Sequence, residues 1–158
     1  MTYHLKSPSN IETTIFDQIV NLVVSGGEVK PHFAIPGLQR AKLIAYAMED
    51  GKVVSTATIK VPNQSYKEGV FHKAEIDDDM GMSYEYGYNV TSPQYRRKCY
   101  TTNLNKIIFD HFSLPVFATV RDDNYMSAEL LQRTGFVKVG KSFSSSNGDY
   151  TLSLYIKK

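Results

Sequence analysis

The order of helix and strand signals along the chain predicts an α+β fold whose mixed sheet is mostly antiparallel and carries one parallel junction near its middle. Three observations predict it. Asp50-Gly51 stands between two β-rich segments, residues 42–48 and 52–61, which is the signal of an antiparallel hairpin. A strand at 83–91, an amphipathic helix and an apolar strand at 115–121 follow one another within about 38 residues, the length of a right-handed parallel crossover. Asn147-Gly148 then marks the turn of a last antiparallel pair, 136–139 and 150–156.

Taken in order, residues 2–6 alternate enough for a first strand, and Ser9 with Glu12 reads as an S-x-x-E capping box opening a helix. Ile11, Ile15, Phe16, Ile19, Val20 and Val23 hold one face of that helix, and Gly26-Gly27 is its stop. Residues 28–40 are expected to be irregular, broken by Pro31 and Pro36. After the hairpin, residues 62–82 show no period and are expected to form a loop, with a short strand around 70–74. Tyr84, Tyr86 and Tyr88 are expected on one face of the next strand. A second helix is expected from Thr101 or Thr102, with Leu104, Ile107, Ile108, His111 and Phe112 forming its apolar stripe, so that His111 packs. Asp122, Asp123 and Asn124 offer caps for a third helix that runs through Arg133 and ends at Gly135.

The chain has 158 residues, 42% of them hydrophobic and 22% charged, which suits one globular domain over 1–158 and excludes fibrous and disordered classes. A net charge of +2 argues against a nucleic-acid partner. No apolar run is long enough to span a membrane and the N-terminus does not resemble a signal peptide, so the expected location is cytoplasmic. Cys99 is the single cysteine, which excludes an internal disulfide and any multi-thiolate metal site. His4, His32, His72 and His111 lack ligand spacing, and no metal is expected; His72 with Asp77, Asp78 and Asp79 is the one conceivable cluster.

Residues 85–101, E-Y-G-Y-N-V-T-S-P-Q-Y-R-R-K-C-Y-T, resemble the acyl-CoA-binding segment of the GNAT superfamily of N-acetyltransferases, where a strand runs into V-x-P-x-Y-R-G-x-G-x-G. Residues 124–136, N-Y-M-S-A-E-L-L-Q-R-T-G-F, resemble the superfamily's next signature. The resemblance spans almost the whole chain through its element order, and it implies a GNAT-like fold with acetyl-CoA as cosubstrate. It places Arg96, Arg97, Lys98, Cys99, Tyr100 and Thr101 in the loop that holds the CoA phosphates, through backbone N–H groups at a helix N-terminus and through side-chain charge. Asn89 and Val90 would serve the thioester carbonyl and the pantetheine arm, with Asn124 and Ser127 completing the cofactor contacts. Family members favour Gly where this chain has Arg97, Cys99 and Thr101. Thr101 is a candidate helix cap, and Cys99 reads as a packing residue rather than a nucleophile.

Direct attack of an amine on a thioester needs a group to take the amine proton, and the resemblance puts Glu85 there. Its thiolate acid, a tyrosine, is replaced by Leu131, which leaves Tyr125 and Tyr100 as substitutes. Two functions stay open. One is an N-acetyltransferase acting on a primary amine of a small molecule or protein; the other is a catalytically weak GNAT-like domain acting as a binding or regulatory module. A homodimer stays open as an assembly.

Overall fold

A computed structural model describes residues 1–77, 79 and 81–158. In chain order its elements are β1 (Thr2–Lys6), α1 (Thr13–Ser25), α2 (Pro31–Gln39), β2 (Leu43–Glu49), β3 (Lys52–Lys60), α3 (Gln64–Lys73) and β4 (Tyr84–Thr91). They continue with α4 (Tyr100–His111), β5 (Val116–Arg121), α5 (Tyr125–Arg133), β6 (Val137–Ser144) and β7 (Thr151–Lys157). The chain divides into two units, Met1–Val61 with Tyr86–Phe112, and Pro62–Glu85 with Ser113–Lys158.

In the first unit the strands follow the order β1-β2-β3-β4. The expected hairpin is present: β2 and β3 are antiparallel, with Ala45 opposite Ala57, and Asp50 and Gly51 both take the positive φ that such a turn requires. β3 is buried from end to end apart from its termini, as a strand covered on both faces is. Two of its polar side chains answer to neighbours, Thr56 donating to the Ala45 carbonyl at 3.0 Å and Ser55 sharing a 2.7 Å bond with Thr91. Ile19, Val23, Ala34 and Leu38 of α1 and α2 pack with Ile44 and Tyr46 in one core cluster.

In the second unit Tyr84 and Glu85 of β4 pair in parallel with Val116 and Phe117 of β5, which is the expected parallel junction. β5 and β7 are antiparallel, and so are β7 and β6. Phe71, Ala74, Met82, Phe117, Leu154 and Ile156 form the core, with Phe71 edge-on to Phe117 at 5.4 Å between centroids. Among the described residues no helix is long and apolar enough to cross a membrane.

Several local expectations are corrected. The Ser9–Glu12 capping box does not form: Pro8 starts a short 3-10 turn over Pro8–Asn10, and α1 begins at Thr13 with no side-chain cap. Residues 28–40 contain helix α2, because Pro31 sits in the first turn, where its missing N–H is no loss, and burial of Ala34, Gly37 and Leu38 offsets the internal Pro36. The segment expected to be a loop with a strand at 70–74 holds α3 instead; the part of that segment at Asp78 and Met80 lies outside the described residues. α3 escaped the periodicity because its buried face carries Lys67 beside Val70 and Phe71. The Lys67 ammonium lies 2.9 Å from the Met82 carbonyl and 2.8 Å from the Asp79 carboxylate. His111 is exposed at the end of α4, its ring 2.8 Å from the Ile107 carbonyl, since Leu104, Asn105 and Ile108 already fill the buried face.

β6 runs further than expected because a bulge between Val139 and Phe143 lets it resume pairing with β7. Gly140 sits in that bulge with φ 67°, and a Cβ there would collide with the Ala74 carbonyl, which accepts the Lys141 N–H at 2.9 Å. Gly140→Ala should therefore lower unfolding free energy by about 2 kcal/mol, from the left-handed backbone and the lost approach together. Denaturant titration with an unchanged m-value checks it; a change within 0.5 kcal/mol, the range of ordinary surface substitutions, would show the bulge to be adaptable.

Candidate functional site

Within the first unit the site is built on the second half of β4 and the loop that follows. Tyr88 has φ 49°, left-handed for a residue inside a strand. This breaks the two-residue alternation, so the expected single tyrosine face does not exist. Tyr86 turns toward α4, where its hydroxyl bonds the Asn105 side chain and its ring lies 5.8 Å from Phe109. Tyr88 and Val90 pack against the α1–α2 core instead. Burial pushes the Tyr86 phenol well above its ordinary value, against the hydrogen bonds it shares with the Asn105 and Asn89 side chains. Asn89 thus reaches the Tyr86 hydroxyl, and Val90 lies on α1.

Beyond Thr91 a 3-10 turn, Pro93–Tyr95, leads into Arg96. Arg96 Nε donates to the Thr91 carbonyl at 3.3 Å, which folds the loop back on the strand. Arg97 and Cys99 both have left-handed φ, 65° and 60°. Cys99 is the N-cap of α4 and is exposed, so it does not pack as expected; its αL backbone turns the side chain away from the core. No side chain caps α4, which leaves the N–H groups of its first turn to solvent or an anion.

Thr101 lies inside the first turn of α4 and does not cap it. Its hydroxyl instead joins Thr91 at 3.1 Å, and through Thr91 it joins Ser55. The three basic residues have different surroundings. Arg97 is exposed and makes no ion pair among the described residues, whereas Lys98 lies 3.9 Å from Glu49 and 5.1 Å from the Tyr95 ring centroid. Tyr100 is buried and donates its hydroxyl to the same Glu49, which together with burial pushes the phenol up to about 12. Tyr100 therefore holds its proton and is an anchor of the loop.

Glu85, Asn124, Tyr125 and Ser127 belong to the second unit. Glu85 is only 2% exposed and accepts a hydrogen bond at Oε2 from the Tyr66 hydroxyl, 2.8 Å away. Asn124 caps α5, its Oδ1 accepting the Ser127 N–H at 3.2 Å. Tyr125 is 78% exposed and borders a surface cavity of about 490 Å³ with Asp122, Asp123 and Tyr150. Leu131 is buried in the core. Among the described residues no group of three or more His, Cys, Asp or Glu side chains is arranged to hold a metal.

Two contributors were missed in the sequence. Glu49 reaches Tyr100 across 51 positions and Tyr66 reaches Glu85 across 19, and no local pattern marks either pairing.

Comparison with solved structures identifies the fold. An acyl-CoA N-acyltransferase from Pseudomonas aeruginosa superposes with a TM-score of 0.71 at 15% identity, over 100% of both chains. A GNAT-family acetyltransferase from Bacillus cereus gives 0.67 at 13% identity, over 100% of this chain and 98% of the other. An aminoglycoside 6′-N-acetyltransferase complexed with coenzyme A gives 0.66 at 13% identity, over 99% and 96%. No protein-family model and no curated protein matches the sequence. The chain has the fold of the GNAT N-acetyltransferases, a mixed α+β sheet with its one parallel pair between β4 and β5.

Of the three Gly-favouring positions, 99 and 101 should respond with opposite sign, because of these two only Cys99 has a left-handed backbone. Cys99→Gly removes left-handed strain of roughly 1–2 kcal/mol, partly offset by the added freedom of the unfolded chain, for a net gain of about 0.5 kcal/mol. Thr101→Gly should lose about 1 kcal/mol, from helix propensity and the Thr91 bond. Paired denaturation curves test this; equal signs would contradict the backbone assignment.

Proposed function

We propose that the protein is an acyl-CoA-dependent N-acetyltransferase that transfers an acetyl group to a primary amine of a small molecule or protein. One observation carries the reading: Arg97 and Cys99 hold left-handed backbone at two positions where the resembling sequences favour Gly, although neither residue adopts it freely. Strain of this kind persists where a loop conformation is needed for a task, and here it leaves α4 uncapped. The donor set suits a pyrophosphate: first-turn N–H groups, the exposed guanidinium of Arg97 and the Thr101 hydroxyl. The fold likeness to a coenzyme A complex supports the same ligand.

Acetyl-CoA would supply the thioester that the amine attacks. In this reading Glu85 takes the amine proton, Arg96, Arg97, Lys98 and the turn through Cys99, Tyr100 and Thr101 hold the phosphates, and Asn89 and Val90 line the acyl arm. Asn124 and Ser127 contribute through the capped start of α5. Tyr125, exposed beside them in sequence, is the candidate acid for the leaving thiolate; a thiol with a pKa near 8.5 also leaves unaided. The burial of Leu131, where the resembling sequences place their acid, favours a second reading in which the domain binds CoA without efficient transfer.

Coenzyme A at about 100 times its Kd should raise stability by about 2.7 kcal/mol, read as a higher Tm. Arg97→Glu should weaken CoA binding by tenfold or more and flatten its salt dependence, as judged by calorimetry at two ionic strengths. Glu85→Gln should lower kcat by about a hundredfold with CoA affinity unchanged. CoA binding with no transfer to any amine would favour the binding-module reading, and no Tm shift at millimolar CoA would remove both.

A further inference from the structure

We propose that Tyr66 is a positioning residue for Glu85 and the outlet through which the proton taken up by Glu85 reaches solvent. The proposal rests on Glu85 being the base of the reaction proposed above. Glu85 is 2% exposed, so it has almost no surface of its own from which to release a proton. Tyr66, on the first turns of α3, is 44% exposed and places its hydroxyl 2.8 Å from Glu85 Oε2. One group is therefore bonded to the buried carboxylate and open to water at once.

α3 is held in place for this. Lys67, the next residue, is itself buried, and its ammonium is bound by the Met82 carbonyl at 2.9 Å and the Asp79 carboxylate at 2.8 Å. Asp79 is held below the usual carboxylate range, first by that lysine and then by the Gly81 N–H. A buried lysine is tolerated only with such partners, and here they tie the helix to the segment that enters β4. Phe71 against Phe117, at 5.4 Å, fixes the same helix further along.

The transfer balances without another reactant. The amine N–H bond breaks and an O–H bond forms on Glu85. That carboxyl then gives its proton to the Tyr66 oxygen while the Tyr66 O–H bond releases its own proton to water, and the hydroxyl rotates back to donate to Oε2. No charge remains on the phenol when the transfer is complete.

The test is Tyr66→Phe in the full chain, which keeps the ring and removes the relay. Acetyl transfer to an amine acceptor should fall about tenfold in kcat, with KM for acetyl-CoA and the CoA-induced Tm shift unchanged. Imidazole as an added proton acceptor should restore kcat of the variant in a concentration-dependent way and leave the parent unaffected. A kcat equal to the parent's, or a loss that imidazole does not recover, overturns the proposal and leaves Tyr66 as a structural partner of Glu85. Should the parent bind CoA yet transfer nothing, the transferase reading fails together with this one, and the two failures are told apart because the second is seen in the parent itself.

Discussion

The left-handed turn of the backbone at Tyr88 is the constraint on which the first unit depends. A regular strand would send Tyr86 and Tyr88 to the same side, and the two side chains would compete for one helix layer. With φ at 49°, Tyr86 goes under α4 to Asn105 and Phe109, while Tyr88 and Val90 seal the α1–α2 core. The phenol of Tyr88 lies where a side chain on residue 37 would stand, which makes Gly37 of α2 a requirement of the same kink. Lys60 covers the ring at 4.3 Å. Strain of roughly 1–2 kcal/mol at one residue is thus met by two sets of packing contacts.

The loop after β4 repeats this economy with charge. Glu49, at the end of β2, holds Tyr100 by its hydroxyl and faces Lys98, so a carboxylate of the protein occupies part of the positive field of the loop. Exposed ion pairs of this length contribute little stability, and the Lys98 side chain is free to change partner when a stronger anion arrives. Tyr100 does not change, because it is buried and its bond to Glu49 keeps the start of α4 against Tyr3, 6.1 Å away between ring centroids.

Much of the architecture was legible because its signals are local. Asp50-Gly51 specified the hairpin of β2 and β3, and the β-branched run at 116–120 specified β5. Asn124 read as a cap and is one. The two missed helices have one cause in common, tertiary contacts that override local chemistry. α2 survives Pro36 because its other face is buried, and α3 hides behind Lys67, a charged residue placed where the pattern asks for an apolar one. For the candidate site, the loop from Arg96 to Thr101 could be placed by its resemblance to other sequences, yet its left-handed residues could not, since nothing in Arg97 or Cys99 announces such a backbone. Tyr66 and Glu49 had no signal at all, being joined to their partners only by the fold.

The bulge around Gly140 has a bearing on the company the protein keeps in a crowded solution. β6 ends the strand order, and an end strand offers its N–H and C=O groups to any extended peptide that comes alongside. The interrupted register between Val139 and Phe143 denies such a visitor a continuous ladder. Lys138 and Lys141, both exposed on this strand, repel a second copy laid against it, and Lys141 is held in place by Glu75 at 2.8 Å. The residue that lets β6 bend over α3 therefore also guards the chain against templated aggregation.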